Sequence, residues 1–207
     1  YSNRNGQFHH DDFLNKPFGT KLRSRNYKGF GFCYLLKPTP ELWTRSLKQR
    51  TQVVQELDQS QIFFQLYIKP NDIVVESGTG SGALSHGILR TIAPKGHLHT
   101  YEFNRHRSES ARLEFQQHGL GHLVTVYHKD VCRADGTAAA GFDLPAQSVD
   151  AVVLDLPEPW LAVPHAAYIL KPNSRIASYS PCVEQTQRTV QKLETCGFHS
   201  IQTFEYR

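Results

Sequence analysis

No methionine occurs anywhere in the 207 residues, and position 1 is Tyr1. A chain without an initiator is expected to be part of a longer polypeptide. Cysteine is scarce as well: Cys33, Cys132, Cys182 and Cys196 are scattered, with no C-x-x-C pair. That argues against a zinc or disulfide framework and predicts a reducing compartment, with the thiols serving as small buried hydrophobes. No apolar run approaches the roughly 20 residues of a membrane-crossing helix and no signal-peptide pattern opens the chain, so no membrane partner is expected. Acids are scarce at the front. Residues 1–50 hold ten Lys/Arg against three acids, a net +7, which leaves −3 for the remainder of a chain that totals +4. A basic front on a near-neutral body suits a polyanionic partner, although a solvated basic loop has the same composition.

What is present reads as one globular domain with a small appendage. Residues 1–48 are expected to form a partial N-terminal β module and basic segment, with a strand over 29–36 stopped by Lys37-Pro38-Thr39-Pro40. Residues 49–207 then alternate: helix 49–67, strand from Ile73, helix 82–93, strand 97–103, helix 105–118, strand 123–128, strand 149–155, helix 161–170, strand 174–180, helix 182–196 and strand 199–206. Such alternation predicts an α/β fold, a doubly wound, mostly parallel sheet of Rossmann-like type. Residues 133–148 read as a long mobile loop. Eleven histidines invite a metal reading. His97 and His99 share a strand face, but no H-x-x-x-H pair or cysteine accompanies them, so no metal is expected.

The most informative stretch is Ile73-Val74-Val75-Glu76-Ser77-Gly78-Thr79-Gly80-Ser81-Gly82. A β-branched run ends in three glycines spaced two apart and passes into an apolar-periodic helix, which is the pattern of a nucleotide cradle. The glycines alone also fit a dinucleotide fingerprint through Gly78, Gly80 and Ala83. Glu76 separates the two. A pyrophosphate on this helix start would face a carboxylate, whereas S-adenosylmethionine carries a sulfonium and an ammonium and tolerates one.

Ligands in such sheets bind beyond the carboxyl ends of the strands, at the topological switch point. Four strand ends carry an acid there: Glu76, Glu102, Asp130 and Asp155. Glu102 is placed to accept both hydroxyls of a ribose, as it would be in an NAD enzyme too. Asp130 is placed to accept from an adenine amine, with the Val131 backbone beside it. Asp155 opens Leu154-Asp155-Leu156-Pro157-Glu158-Pro159-Trp160, where two prolines stiffen the backbone before an aromatic. Amino-directed methyltransferases carry an (Asn/Asp)-Pro-Pro-aromatic loop at this strand end. The loop here is longer, so Trp160 is free to pack rather than stack.

These residues resemble a known family, the catalytic subunit of the eukaryotic tRNA (adenine-58-N1)-methyltransferase, which is similar to the TrmI enzymes. The resemblance runs from Pro17-Phe18-Gly19-Thr20-Lys21 to the C-terminus. It is densest at Pro38 to Thr44, Arg50-Thr51-Gln52, Glu76 to Gly82, Arg90 to Pro94, Gly96 to Thr100, Leu154 to Trp160 and Ser180 to Gln185. It implies a class I methyltransferase that uses S-adenosyl-L-methionine to methylate N1 of adenine 58 in the T-loop of tRNA, located in the nucleus. By resemblance the cofactor site comprises Val54 on a helix over the pocket, Gly78, Gly80, Ser81, Gly82, Ala83, Leu84, Glu102, Arg107, Asp130, Val131 and Asp155, with Asp155 catalytic. The implied partners are tRNA and a non-catalytic paralogous subunit, together a heterotetramer. A closing antiparallel strand is expected beyond Arg207. The alternatives are a same-fold enzyme acting on another RNA, such as a T-loop-like mRNA hairpin, a non-catalytic RNA-binding subunit and, more remotely, an NAD oxidoreductase.

Overall fold

The computed structural model describes residues 1–25, 31–47, 51–133 and 141–205. The chain divides into two compact units, Tyr1–Leu42 and Trp43–Arg207, a few residues earlier than the sequence suggested. The first unit holds two small antiparallel pairs, β1 (Ser2–Asn3) with β2 (Gly6–Gln7) and β3 (Lys21–Arg23) with β4 (Phe32–Tyr34). Of the strand expected over 29–36, residues 29 and 30 lie outside the described residues. Helix α1 (Pro40–Ser46) runs across the division, with Pro40 at its start, where a missing N–H costs nothing.

The second unit is built on a five-stranded parallel sheet in the order β7-β6-β5-β8-β9, with β5 (Ile73–Ser77) at the centre. β6 (His97–Glu102) and β7 (Val124–His128) lie to one side, β8 (Val149–Leu154) and β9 (Leu170–Ser178) to the other. The chain first winds outward from β5 and then returns to its far side, so the strand order reverses between β5 and β8. That is the doubly wound topology expected from the alternation, and it fixes where a ligand can enter.

Both faces of the sheet are covered, which is why Val74, Val75, Val152 and Val153 are all fully buried and the strands do not alternate polar with apolar. On one face α3 (Ala83–Ile92) seats Leu84, Ile88, Leu89 and Ile92, and α4 (Arg105–Gln117) adds Ala111 and Phe115. On the other, α5 (Pro159–Ile169) contributes Ala162, Val163, Ala166 and Ile169, and α6 (Val183–Thr195) contributes Leu193. Asn104 caps α4, its side chain accepting from the Arg107 N–H at 3.1 Å.

Several sequence expectations are corrected here. The helix expected from residue 49 begins only at Glu56: α2 is Glu56–Leu66. Residues 48–50 lie outside the described residues, and Thr51 to Gln55 form no helix, the Thr51 N–H donating to Ser81 Oγ. Val54 therefore precedes the helix rather than sitting on it. Residues 171–173, between the helix expected to end at 170 and the strand expected from 174, lie inside β9, where Leu170 pairs with Val149 and Arg175 with Ala151. The intervening residues bulge out, and Asn173 takes φ +62°. No strand forms over 199–205 among the described residues; Phe198 and Ile201 instead pack on the core. Cysteines were expected in the interior, yet Cys33, Cys132 and Cys196 are half-buried and Cys182 is exposed. Of the 133–148 loop, residues 134–140 lie outside the described residues. Its remainder is anchored, with Phe142 buried, the Tyr101 hydroxyl donating to the Phe142 carbonyl and Lys129 paired with Asp143 at 2.6 Å.

Leu98, at 0% exposure on β6, is part of the core beneath α3 and α4. Leu98→Ala is expected to cost ~2–5 kcal/mol. Chemical denaturation should show a lower midpoint with an unchanged slope.

Candidate active site

The backbone at the switch point leaves no room for side chains. Gly78 has φ +100°, and a Cβ there would lie 2.1 Å from the Asp155 carbonyl oxygen. Gly80 has φ +53°, and its Cβ would lie 2.7 Å from Thr51 Oγ1. The turn after β5 is therefore pressed between the loop after β8 and the segment before α2, and only glycine satisfies both the approach and the dihedral. The ladder continues past the strand ends: the Asp155 N–H donates to the Ser77 carbonyl at 2.9 Å, and the Gly78 N–H to the Tyr101 carbonyl at 2.9 Å. Ser81 anchors the outer segment, its Oγ accepting from the Thr51 N–H at 3.2 Å.

Glu102, the last residue of β6, has a carboxylate that is almost wholly buried and ties three elements together. Its Oε2 accepts from the Gly80 N–H at 3.0 Å. Its Oε1 accepts from the Asn104 N–H at 3.0 Å and from Arg107 Nε and Nη2 at 3.0 and 2.7 Å. A carboxylate has about four acceptor sites, and Oε1 is saturated. One site on Oε2 is left, enough for one ribose hydroxyl and not for the two expected from the sequence. Arg107 meets Glu102 rather than open space, so it would act on a ligand through that carboxylate. The same bonds bear on ligand choice. A pyrophosphate at this turn needs the Gly80 amide, which already donates to Glu102, and it would lie against a negative charge. A cation with no phosphate meets neither obstacle.

Glu76 is not at the surface of the site. It is fully buried, with Oε2 accepting from Ser85 Oγ and Thr100 Oγ1 at 2.6 Å each, while Oε1 has no partner. Thr100 donates to Glu76, so Thr79 Oγ1 must donate to Thr100, 2.6 Å away. Burial pushes the Glu76 carboxyl up to about 7 against the opposing effect of the Ser85 and Thr100 bonds, with the charges of Asp155 and Glu102 adding to the rise. At neutral pH it is only about half ionised, so its electrostatic discrimination is weaker than the sequence argument assumed.

Asp155 follows β8 directly. Among the described residues no side chain or amide donates to its carboxylate, and burial pushes it up to about 6. It is thus mostly ionised at neutral pH and available as an acceptor. Its neighbours were not singled out from sequence. Tyr179, just past β9, donates its hydroxyl to Asp58 Oδ2 at 3.5 Å, and burial together with the charges of Asp58 and Asp155 raises its pKa. A tyrosine at the end of an edge strand and an aspartate on a helix leave no spacing signal that links them.

The remaining expected residues divide into two groups. Asp130 is exposed and caps its own turn, Oδ1 accepting from the Cys132 N–H at 3.0 Å, which leaves Oδ2 for another donor. The side chains of Val131, Leu84 and Ala83 point into core clusters, so only their backbones are available to a ligand. Val54 is buried and its carbonyl accepts from Gln59 Nε2 at 2.8 Å. Gly82 precedes α3, and His86 Nδ1 lies 2.6 Å from its carbonyl. His97 and His99 bond Thr125 Oγ1 and Tyr127 Oη, and burial lowers both pKa values.

The raised Glu76 pKa has a thermodynamic consequence. Its contribution to stability is fully present below about 4.5 and is lost as pH rises through about 7. The full change is of order 3 kcal/mol. In Glu76→Gln that dependence should vanish, so the difference in unfolding free energy between wild type and variant should change by this amount between pH 4 and pH 8. A pH-independent difference contradicts the buried, titrating carboxyl.

Residues 31–207 match the family described as tRNA methyltransferase complex GCD14 subunit. A Dictyostelium discoideum protein named tRNA (adenine(58)-N(1))-methyltransferase catalytic subunit is 44% identical over 99% of this chain and 64% of its own length. Its counterpart from Eremothecium gossypii is 40% identical over 99% of this chain and 54% of its own. The chain thus spans little more than half the length of these relatives. Among solved structures, a SAM-dependent O-methyltransferase from Thermotoga maritima superposes with a TM-score of 0.81 at 28% identity, covering 94% of this chain and 69% of that one. The tRNA (m1A58) methyltransferase TrmI from Aquifex aeolicus superposes at 0.73 and 23% identity, covering 89% and 68%, and shows the same fold. The sheet is that of the class I methyltransferases, and the chain belongs to the GCD14 family of tRNA methyltransferase complex subunits.

Proposed function

We propose that this chain carries the catalytic domain of an enzyme that transfers a methyl group from S-adenosylmethionine to N1 of adenine 58 in the T-loop of tRNA. The observation that carries the reading is the Asp155 carboxylate, without a donor among the described residues, one residue past β8 and against the glycine turn that follows β5. Family membership and the names of the relatives support the choice of acceptor. The words complex and catalytic subunit in those descriptions support a second, non-catalytic paralogous subunit and a heterotetramer, and we extend the reading to a nuclear setting.

Bound S-adenosylmethionine supplies an electrophilic methyl group on a sulfonium. The residues present fit it. Gly78 and Gly80 expose bare backbone, Glu102 retains one acceptor for a ribose hydroxyl on Oε2 while Arg107 binds Oε1, and Asp130 offers Oδ2 to an adenine amine beside the Val131 backbone. Val54, Ser81, Gly82, Ala83 and Leu84 complete the walls. Asp155 then accepts from the exocyclic amine of the target adenine. N1 is unprotonated at neutral pH, so no strong base is asked of this chain. Asp155 instead aligns the ring and offsets the positive charge that moves from sulfur to the base as the N–C bond forms and the C–S bond breaks. Alignment of this kind is worth up to ~7–11 kcal/mol in favourable systems. The target base is paired and stacked within tRNA and must be extruded at a cost of a few kcal/mol. The basic front of the chain would hold phosphates, with salt-sensitive affinity.

The test is labelled methyl transfer to unmodified tRNA by the full-length protein, with and without its partner subunit, followed by base mapping. Label recovered as N1-methyladenine at position 58 is the expected result; label on another base or none overturns the reading. Asp155→Ala should lower turnover by roughly 100-fold or more while cofactor affinity is kept. In the wild type, protonation of Asp155 should reduce the rate as pH falls through about 6; a flat rate from pH 8 to pH 5 removes Asp155 from the chemistry. Glu102→Ala should weaken cofactor binding by about 1.5–3 kcal/mol, read by calorimetry, and unaltered affinity removes the ribose assignment.

A further inference from the structure

The loop that carries Asp155 is poor in its own means of support. Pro157 and Pro159 have no N–H, so the stretch between β8 and α5 cannot hold itself by a dense backbone ladder. Its carbonyls are instead reached from outside. Gln185, in the first turn of α6, donates from Nε2 to the Pro157 carbonyl at 2.8 Å. Cys132, after β7, directs its Sγ at the Glu158 carbonyl at 3.7 Å. Arg188, three residues along α6, places its guanidinium 5.1 Å from the centre of the Trp160 ring. Trp160 therefore packs against a cation, and α6 grips the loop at both ends of the Pro157–Trp160 segment.

The Gln185 amide can face only one way. A carbonyl cannot donate, so the nitrogen must be the atom that meets Pro157. Among the described residues its Oε1 is buried with no partner, which leaves the bond to Pro157 as the one polar contact there that fixes the group. Gln185 is partly exposed, but an amide whose oxygen is buried without a partner is costly unless its other end does something a hydrophobe could not.

We infer that Gln185, supported by Arg188, is a positioning residue: it clamps the Pro157 carbonyl and so fixes the direction in which Asp155, two residues earlier, meets the acceptor base. The inference rests on the proposed methyl transfer, and it needs no contact between Gln185 and either substrate. Gln185→Met and Gln185→Glu test it, since both keep the length of the side chain and neither can donate to Pro157 at neutral pH. Met also preserves the apolar packing volume, so a merely space-filling role would leave that variant active.

In the full-length protein with its partner subunit, both variants should lose turnover by ~10- to 100-fold. Affinity for S-adenosylmethionine, measured by calorimetry, should stay at the wild-type value. Hydrogen exchange at the Leu156, Glu158 and Trp160 amides should quicken by about tenfold, while exchange in β5 and β8 is unchanged. Adding Gln185→Met to Asp155→Ala should cause no further loss, because the clamp acts through Asp155. Turnover within about twofold of wild type, or cofactor affinity falling in parallel with turnover, overturns the inference. The exchange measurement keeps the two claims apart. If wild type fails to methylate any RNA while the loop amides still loosen in the variants, the functional reading falls and the clamp stands; if the amides do not loosen, the clamp falls.

Discussion

The parallel pairing of β5 with β8 is the constraint on which the rest of the site depends. It continues beyond the strands through the Asp155 N–H on the Ser77 carbonyl, and it brings Gly78 so close to Asp155 that a methyl group would collide with the backbone. A donor-side turn and an acceptor-side carboxylate thereby meet at one sheet edge. Neither loop could be moved outward to admit a side chain at Gly78 without breaking that ladder. The reversal of strand order at this pair is what leaves a crevice there.

Two carboxylates of similar sequence context have opposite duties at this edge. Glu102 accepts from four donors, joining the glycine turn to the start of α4. Glu76 has two donors on one oxygen and none on the other, and its burial makes it half neutral at physiological pH. The first acts as an electrostatic anchor. The second acts as an internal hydrogen-bond hub that links β5, β6 and α3 beneath the turn. Asp155 has no donor to its carboxylate among the described residues and so keeps its acceptor capacity for something from outside.

The path from sequence to this arrangement was clear where one local pattern settled the outcome. The β-branched run into Gly78-Thr79-Gly80 gave strand, turn and helix, and the acids after each strand gave the edge on which they converge. It was opaque where contacts cross the sheet. Every residue of β5 is at least half-buried, so no alternation in the sequence told which way Glu76 points. Arg107 and Glu102 are five apart across a helix start, and only the Asn104 cap brings them face to face. Asp58 and Tyr179 are 121 residues apart. Residues 171–173, which fall between the expected helix and strand, serve instead as a bulge within β9. The 199–205 stretch, expected as a strand, forms none among the described residues.

The most direct test of the account is a crystal structure of the full-length protein and its partner with S-adenosylhomocysteine and an unmodified T-loop RNA. The thioether should lie over the Gly78–Gly82 turn, with the exocyclic amine of the extruded adenine about 3 Å from an Asp155 carboxylate oxygen. An adenine seated elsewhere, or Asp155 turned toward the protein interior with the nucleoside bound, would contradict it.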